Sequence, residues 1–300
     1  MTMSIDGKAT RRKALIVGIS DYTNLQRLDF CKNDGTEVHE VLNSLGFEIS
    51  EKNKLVGEAK WEKVRDTIYD FFGNNRNSPD DTLLFYYSGY VVPDVYGDIY
   101  LASSDIDFDN PCRGGFSFEE FTKCLSTRVV IILDCCYRGS AMVTMNEKDS
   151  AKVGEYILDE KSRKLPGQGK YILSSNQTLQ EAYALPPGGH SIFTYYLLKG
   201  LRGNKESIDS EGNVTPQSLG NYVFRAIMSL PLHERPEQRP LLKTEESGTV
   251  ILASYPELKP LLPPPSIMPT NKGLKQGWLK NLVNKFTRVG SKHATKGEDP

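Results

Sequence analysis

Residues Val129-Val130-Ile131-Ile132-Leu133 run straight into Asp134-Cys135-Cys136-Tyr137-Arg138-Gly139. An unbroken apolar run rich in β-branched side chains reads as a strand buried on both faces of a parallel sheet. The carboxyl end of such a strand is where open α/β sheets gather their chemistry. Here that end carries an acid, two adjacent thiols and a glycine turn, which suggests a nucleophilic cysteine at a strand tip. A second apolar strand, Thr82-Leu83-Leu84-Phe85-Tyr86-Tyr87, ends the same way, in Ser88-Gly89-Tyr90. If the two strands are neighbours, Tyr90 lies beside Cys136, where a cysteine nucleophile calls for a histidine.

Strand and helix signals alternate along the first 255 residues. Lys13–Ile19 reads as a strand, and a helix follows with Val38, Val41, Leu42 and Leu45 on one face, capped by Asn33 or Asp34 and stopped by Gly46. Phe47–Leu55 contains a second, partly polar strand. Trp61, Val64, Ile68 and Phe72 mark a helix ended by Gly73. After the Thr82 strand, Ile99-Tyr100-Leu101 reads as a short extended piece, and Ser117-Phe118-Glu119-Glu120 has capping-box spacing. Thr144–Gly169 reads as a surface loop, Tyr171–Ser174 as a fifth strand, Ser191–Leu201 and Pro216–Leu230 as helices. Thr249–Ala253 is expected to close the sheet. Six strands with interleaved helices predict an α/β domain of three layers around a mostly parallel sheet.

Charge and cysteine usage narrow the function classes. Net charge is -1 with 25% charged residues, so no affinity for nucleic acid is expected. No run of about 18 apolar residues exists, and Ala14–Ile19 reads as a strand rather than a signal peptide, so a cytoplasmic protein is expected. Five cysteines (Cys31, Cys112, Cys124, Cys135 and Cys136) without a C-x-x-C pair argue against a disulfide framework or a zinc site and leave reactive or buried thiols. Asp105-Ile106-Asp107-Phe108-Asp109 opens like a calcium loop. It has Asn110 where that loop needs glycine and Phe116 where it needs glutamate, so no metal is expected there.

Beyond Tyr255 the texture changes. Residues 256–271 are proline-rich and read as an extended linker. In residues 272–300, Leu274, Trp278, Leu279, Leu282, Val283, Phe286 and Val289 form an apolar stripe among lysines and arginines. A basic amphipathic helix of that kind lies on an anionic membrane surface or docks in a partner's groove; packing back on the domain, or a disordered tail, is the alternative.

The ordered motifs resemble the caspase/metacaspase family of cysteine peptidases, in its prokaryotic branch. They are Ala14–Tyr22, Tyr86-Tyr87-Ser88-Gly89, Leu133-Asp134-Cys135-Cys136, Ser174-Ser175-Asn176-Gln177, Gly188–Thr194 and Gln238-Arg239-Pro240. The resemblance implies a caspase-like domain over residues 13–255 and a peptide or protein substrate, without a cofactor; calcium dependence occurs in the family, but no motif here supports it. It makes Cys136 the nucleophile, Cys135 structural, and the backbone at Gly89 and Cys136 the oxyanion hole. It also matches Cys31, Asp34, Ser88 and Asp134 to an acidic pocket for arginine or lysine before the scissile bond. Taken singly, Asp34 is more simply a helix cap and Asp134 a strand-end hydrogen-bonding group; it is the four residues together, with the matched cysteine spacing, that favour the pocket.

One position departs from the family. Relatives continue Ser-Gly with a histidine that takes the thiol proton, whereas Tyr90 stands here. Tyrosine titrates near 10, so serving as a base at neutral pH needs a depression of about three units, on the order of 4 kcal/mol. Burial beside Asp134 and Asp34 pushes it the other way. Of the four histidines only His190 falls in a segment that borders the cleft in relatives, and a structural role at a helix start is expected for it. Two functions therefore follow: an impaired cysteine endopeptidase, or a pseudopeptidase that recognises basic peptides or pairs with an active relative.

Overall fold

The computed structural model describes residues 11–73, 77–78, 80–96, 98–117, 128–137, 170–175, 189–231, 240–245 and 250–258. The Thr144–Gly169 loop, Phe118–Glu120 and the 272–300 tail lie outside the described residues, as does the linker beyond Leu258.

The elements follow as β1 (Arg12–Ile19), α1 (Asp29–Ser44), β2 (Lys54–Gly57), α2 (Trp61–Phe72), β3 (Thr82–Pro93), β4 (Ile99–Ala102) and β5 (Gly115–Ser117). The second half brings β6 (Arg128–Tyr137), β7 (Lys170–Ser174), α3 (Ile192–Leu201), β8 (Asn213–Val214), α4 (Pro216–Met228), β9 (Leu241–Glu245) and β10 (Ala253–Ser254). The sheet runs β2-β1-β3-β6-β7-β9. Its first five strands are mutually parallel and β9 is antiparallel to β7. The far end of β3 carries an antiparallel extension through β4 and β5.

Strand alternation splits the core into two sides. Ala14, Ile16, Leu84, Tyr86, Val130 and Ile132 pack with α1, α3 and α4. Leu15, Val17, Phe85, Ile131 and Leu133 pack on the other face with Val64, Ile68, Phe71 and Phe72 of α2. Helices thus cover both faces, giving the expected three layers.

Three local expectations change. The closing strand is Leu241–Glu245, not Thr249–Ala253: Val250 and Leu252 are buried in the α-helical side of the core, and Ala253 pairs with β8 in a separate two-stranded sheet. An apolar run reports burial, not sheet membership. The second strand is Lys54–Gly57, with only an isolated Lys13–Glu48 bridge before it. Helix α1 begins at Asp29, so Asn33 and Asp34 sit in its second turn and cap nothing.

Candidate active site

Strands β3 and β6 pair without a break from Thr82↔Arg128 to Val91↔Tyr137. That register sets Ser88 opposite Asp134 and Tyr90 opposite Cys136. Both strands extend past the expected tips at Tyr87 and Leu133, so Tyr90 and Cys136 are strand residues rather than loop residues. Alternation sends Ser88, Tyr90, Asp134 and Cys136 to one face. Gly89 and Cys135 face the other, where Cys135 borders the apolar core of α2. Tyr90 and Cys136 share a small cluster with Val92, Ala102 and Ile106, and each is only 5% exposed.

Helix α1 brings the remaining residues over this edge. Its seat on the sheet is made of glycine: a Cβ on Gly18 would meet the Cys31 carbonyl oxygen at 2.5 Å, and one on Gly35 would meet the Gly18 Cα at 3.3 Å. Only a Gly–Gly contact lets helix and strand approach so closely. The result is that Cys31, Asp34, Ser88 and Asp134 come together, all fully buried. Burial pushes the Cys31 thiol well up, with Cys136 adding to the shift. Asp34 is pushed up to about 7 by burial, a hydrogen bond from His190 acting against that and the charge of Asp134 adding to it. Burial also raises Asp134, against hydrogen bonds from Ser191 and Thr194.

Asp34 is held by Ser88, already matched to the pocket, and by Ser191; Asp134 is held by two hydroxyls that the sequence did not single out. Ser88 Oγ donates to Asp34 Oδ2 at 3.4 Å, and the Ser191 backbone N–H approaches both Asp34 oxygens. The hydroxyls of Ser191 and Thr194 both donate to Asp134 Oδ2, the latter at 2.7 Å. Ser191 is also the N-cap of α3, accepting from the Thr194 N–H. The signal was the Ser191-x-x-Thr194 spacing, which puts two hydroxyls on one side of a helix start. His190 faces carboxylates, not the thiol: Nδ1 lies 2.8 Å from Asp34 and Nε2 lies 2.5 Å from Glu37.

Around Tyr90 the partners are phenols. The Tyr90 N–H donates to Tyr22 Oη at 2.9 Å, and the two rings are 4.9 Å apart. Tyr87 Oη donates to the Tyr90 carbonyl at 2.6 Å. A Cβ on Gly89 would meet both phenolic oxygens at 2.7 Å, which is why the strand carries glycine there. Burial raises the pKa of Tyr22 and of Tyr87 well above the ordinary value, so both stay protonated. In the calcium-like loop Asp105 accepts from the Trp61 N–H, and Asp107 from the N–H groups of Asp109 and Asn110.

Comparison with known proteins decides the family. Residues 11–244 match the caspase domain of the peptidase C14 family. The chain belongs to the caspase family. Its fold is also that of caspase-1 from Spodoptera frugiperda, whose crystal structure superposes with a TM-score of 0.54 at 15% sequence identity, covering 82% of this chain and 91% of that one. No curated protein sequence matches the chain. As a caspase-family cysteine peptidase domain it takes protein or peptide substrates. Among the described residues no helix is long and apolar enough to cross a membrane.

Proposed function

We propose that this caspase-family domain is a cysteine endopeptidase directed at arginine or lysine, with Cys136 as nucleophile and turnover much reduced because Tyr90 stands in the base's place. The observation that carries this reading is the Tyr90↔Cys136 register, which sets a phenol where the thiol needs an imidazole. Without a positioned base the thiol is not deprotonated ahead of attack, so attack is slow. The leaving amine also lacks a positioned acid and takes its proton from solvent. Asp34 and Asp134 supply the acidic lining, and the backbone at Gly89 and Cys136 the oxyanion donors.

A second reading, a pseudopeptidase that binds basic peptides without cleaving them, is favoured by His190. Both of its ring nitrogens are committed to carboxylates, so it offers no lone pair to the thiol.

Covalent trapping tests the first reading without requiring turnover. A peptide ending in arginine with an electrophilic ketone is expected to alkylate Cys136 several-fold faster than its aspartate counterpart, a modification located by mass spectrometry. Equal rates for the two peptides, or alkylation only at Cys112, would exclude the basic pocket.

A further inference from the structure

Asp34 is fully buried, yet its carboxylate is gripped by the segment of chain entering α3. Asn33 Nδ2 donates to the Gly189 carbonyl at 3.3 Å, His190 Nδ1 meets Asp34 Oδ1 at 2.8 Å, and the Ser191 N–H meets Asp34 as well. Three successive residues are thus fastened to one face of α1. The second nitrogen of His190 meets Glu37 at 2.5 Å, and the other oxygen of Glu37 accepts from Arg202 at 2.5 Å. An imidazole with a carboxyl group at each nitrogen is held by both, and in its protonated form both nitrogens donate. Its hydrogen bond to Asp34 raises the His190 pKa against burial. A line of contacts therefore runs outward from Asp34 through His190 and Glu37 to Arg202, which is 52% exposed.

Asp134, whose charge acts on Asp34, has an unmet need of its own. Its Oδ2 holds two hydroxyls, while Oδ1 is buried and has no hydrogen-bond partner among the described residues. Leaving a buried acceptor unsatisfied costs about 1–3 kcal/mol, more when it is charged. An oxygen kept in that condition suits a donor that arrives from outside the chain.

We infer that His190 is an internal competitor for the basic-residue site, occupying Asp34 until a substrate cation displaces it, with Glu37 and Arg202 as the outer latch. The inference rests on the reading of Asp34 and Asp134 as the pocket for arginine or lysine. An arriving guanidinium brings two parallel N–H donors. One meets the unpartnered Oδ1 of Asp134; the other takes Asp34 Oδ1, and His190 swings off, releasing Glu37 as well. A single N–H from the imidazolium is exchanged for a fork, so arginine displaces His190 more readily than lysine does.

Fluorescence polarisation of a fluorescein-labelled tripeptide ending in arginine amide reads the competition directly. The full chain carrying Cys136→Ala, which prevents turnover, is compared with the same chain also carrying His190→Gln or Glu37→Gln. His190→Gln keeps an N–H for Asp34 but removes the charge; Glu37→Gln removes the latch. Each is expected to tighten the tripeptide's Kd by roughly ten-fold, the weight of one charge-assisted hydrogen bond. In the Cys136→Ala chain, the ¹⁵N signals of the His190 ring are expected to shift when the tripeptide saturates it. That readout decides the matter even where His190→Gln fails to fold. Binding by the Cys136→Ala chain with no tightening in Glu37→Gln, and with unmoved ring signals, overturns the competitor role and leaves the basic pocket standing. No binding by any of the three chains overturns both.

Discussion

At the scale of single residues, the site is defined by what faces Cys136 and what faces Asp34. Tyr90 and Cys136 are register partners, and the backbone of Tyr90 is pinned from both sides by Tyr22 and Tyr87. Its ring is therefore placed by the strand rather than by a mobile loop. Asp34 is the other pivot, and it leaves a thermodynamic signature. Its folded pKa of about 7 lies above the unfolded value of 3.8. Between those two values the folded state retains a proton that the unfolded state has lost, so stability falls as pH rises through that window. His190, also raised, contributes in the same direction above 6.5. Urea midpoints measured at pH 5 and pH 7.5 are expected to fall with pH in the parent chain. The fall is expected to be distinctly shallower in Asp34→Asn; an unchanged slope would remove Asp34 from the buried network.

At the scale of elements, the site depends on how closely α1 sits on β1. Gly18→Ala places a methyl 2.5 Å from a backbone carbonyl oxygen of α1. Backbone cannot rotate aside as a side chain can, so the helix must lift and carry Cys31 and Asp34 away from Ser88. A loss of about 1–3 kcal/mol is expected from such overpacking, read as a lower melting temperature together with weakened binding of arginine-terminated peptide. Parent-like stability would mean that the glycine contact does not set the helix position. The same scale shows which parts of the fold were legible. Strands β1, β3 and β6 are buried on both faces, so their sequences are continuous apolar runs that declare themselves. Strand β9 is an edge strand, Leu241-Leu242-Lys243-Thr244-Glu245, and its polar half hid it behind the more apolar Val250-Ile251-Leu252. The reach of β3 to Pro93 was also obscured, because Ser88 and Gly89 look like a strand end when taken locally.

At the scale of the whole molecule, the caspase-family fold gathers one site from segments far apart in the chain. Cys31 and Asp34 come from α1, Ser88 and Tyr90 from β3, Asp134 and Cys136 from β6, and His190, Ser191 and Thr194 from the start of α3. The juxtaposition of Tyr90 with Cys136 was readable in advance, since two parallel apolar strands ending in small residues invite pairing. The grip of Asp34 and Glu37 on His190 was not, because no local pattern ties a helix near the start of the chain to a turn before α3. The central claim is that the chemistry is limited by a phenol standing where an imidazole belongs. Its most direct test is kcat/KM for an arginine fluorogenic peptide measured on the parent chain and on Tyr90→His. A positioned general base contributes about 10²–10⁴-fold, so a gain of at least about 100-fold is predicted, abolished when Cys136→Ala is added. A Tyr90→His chain that is folded, binds the peptide and cleaves no faster than the parent would contradict the account.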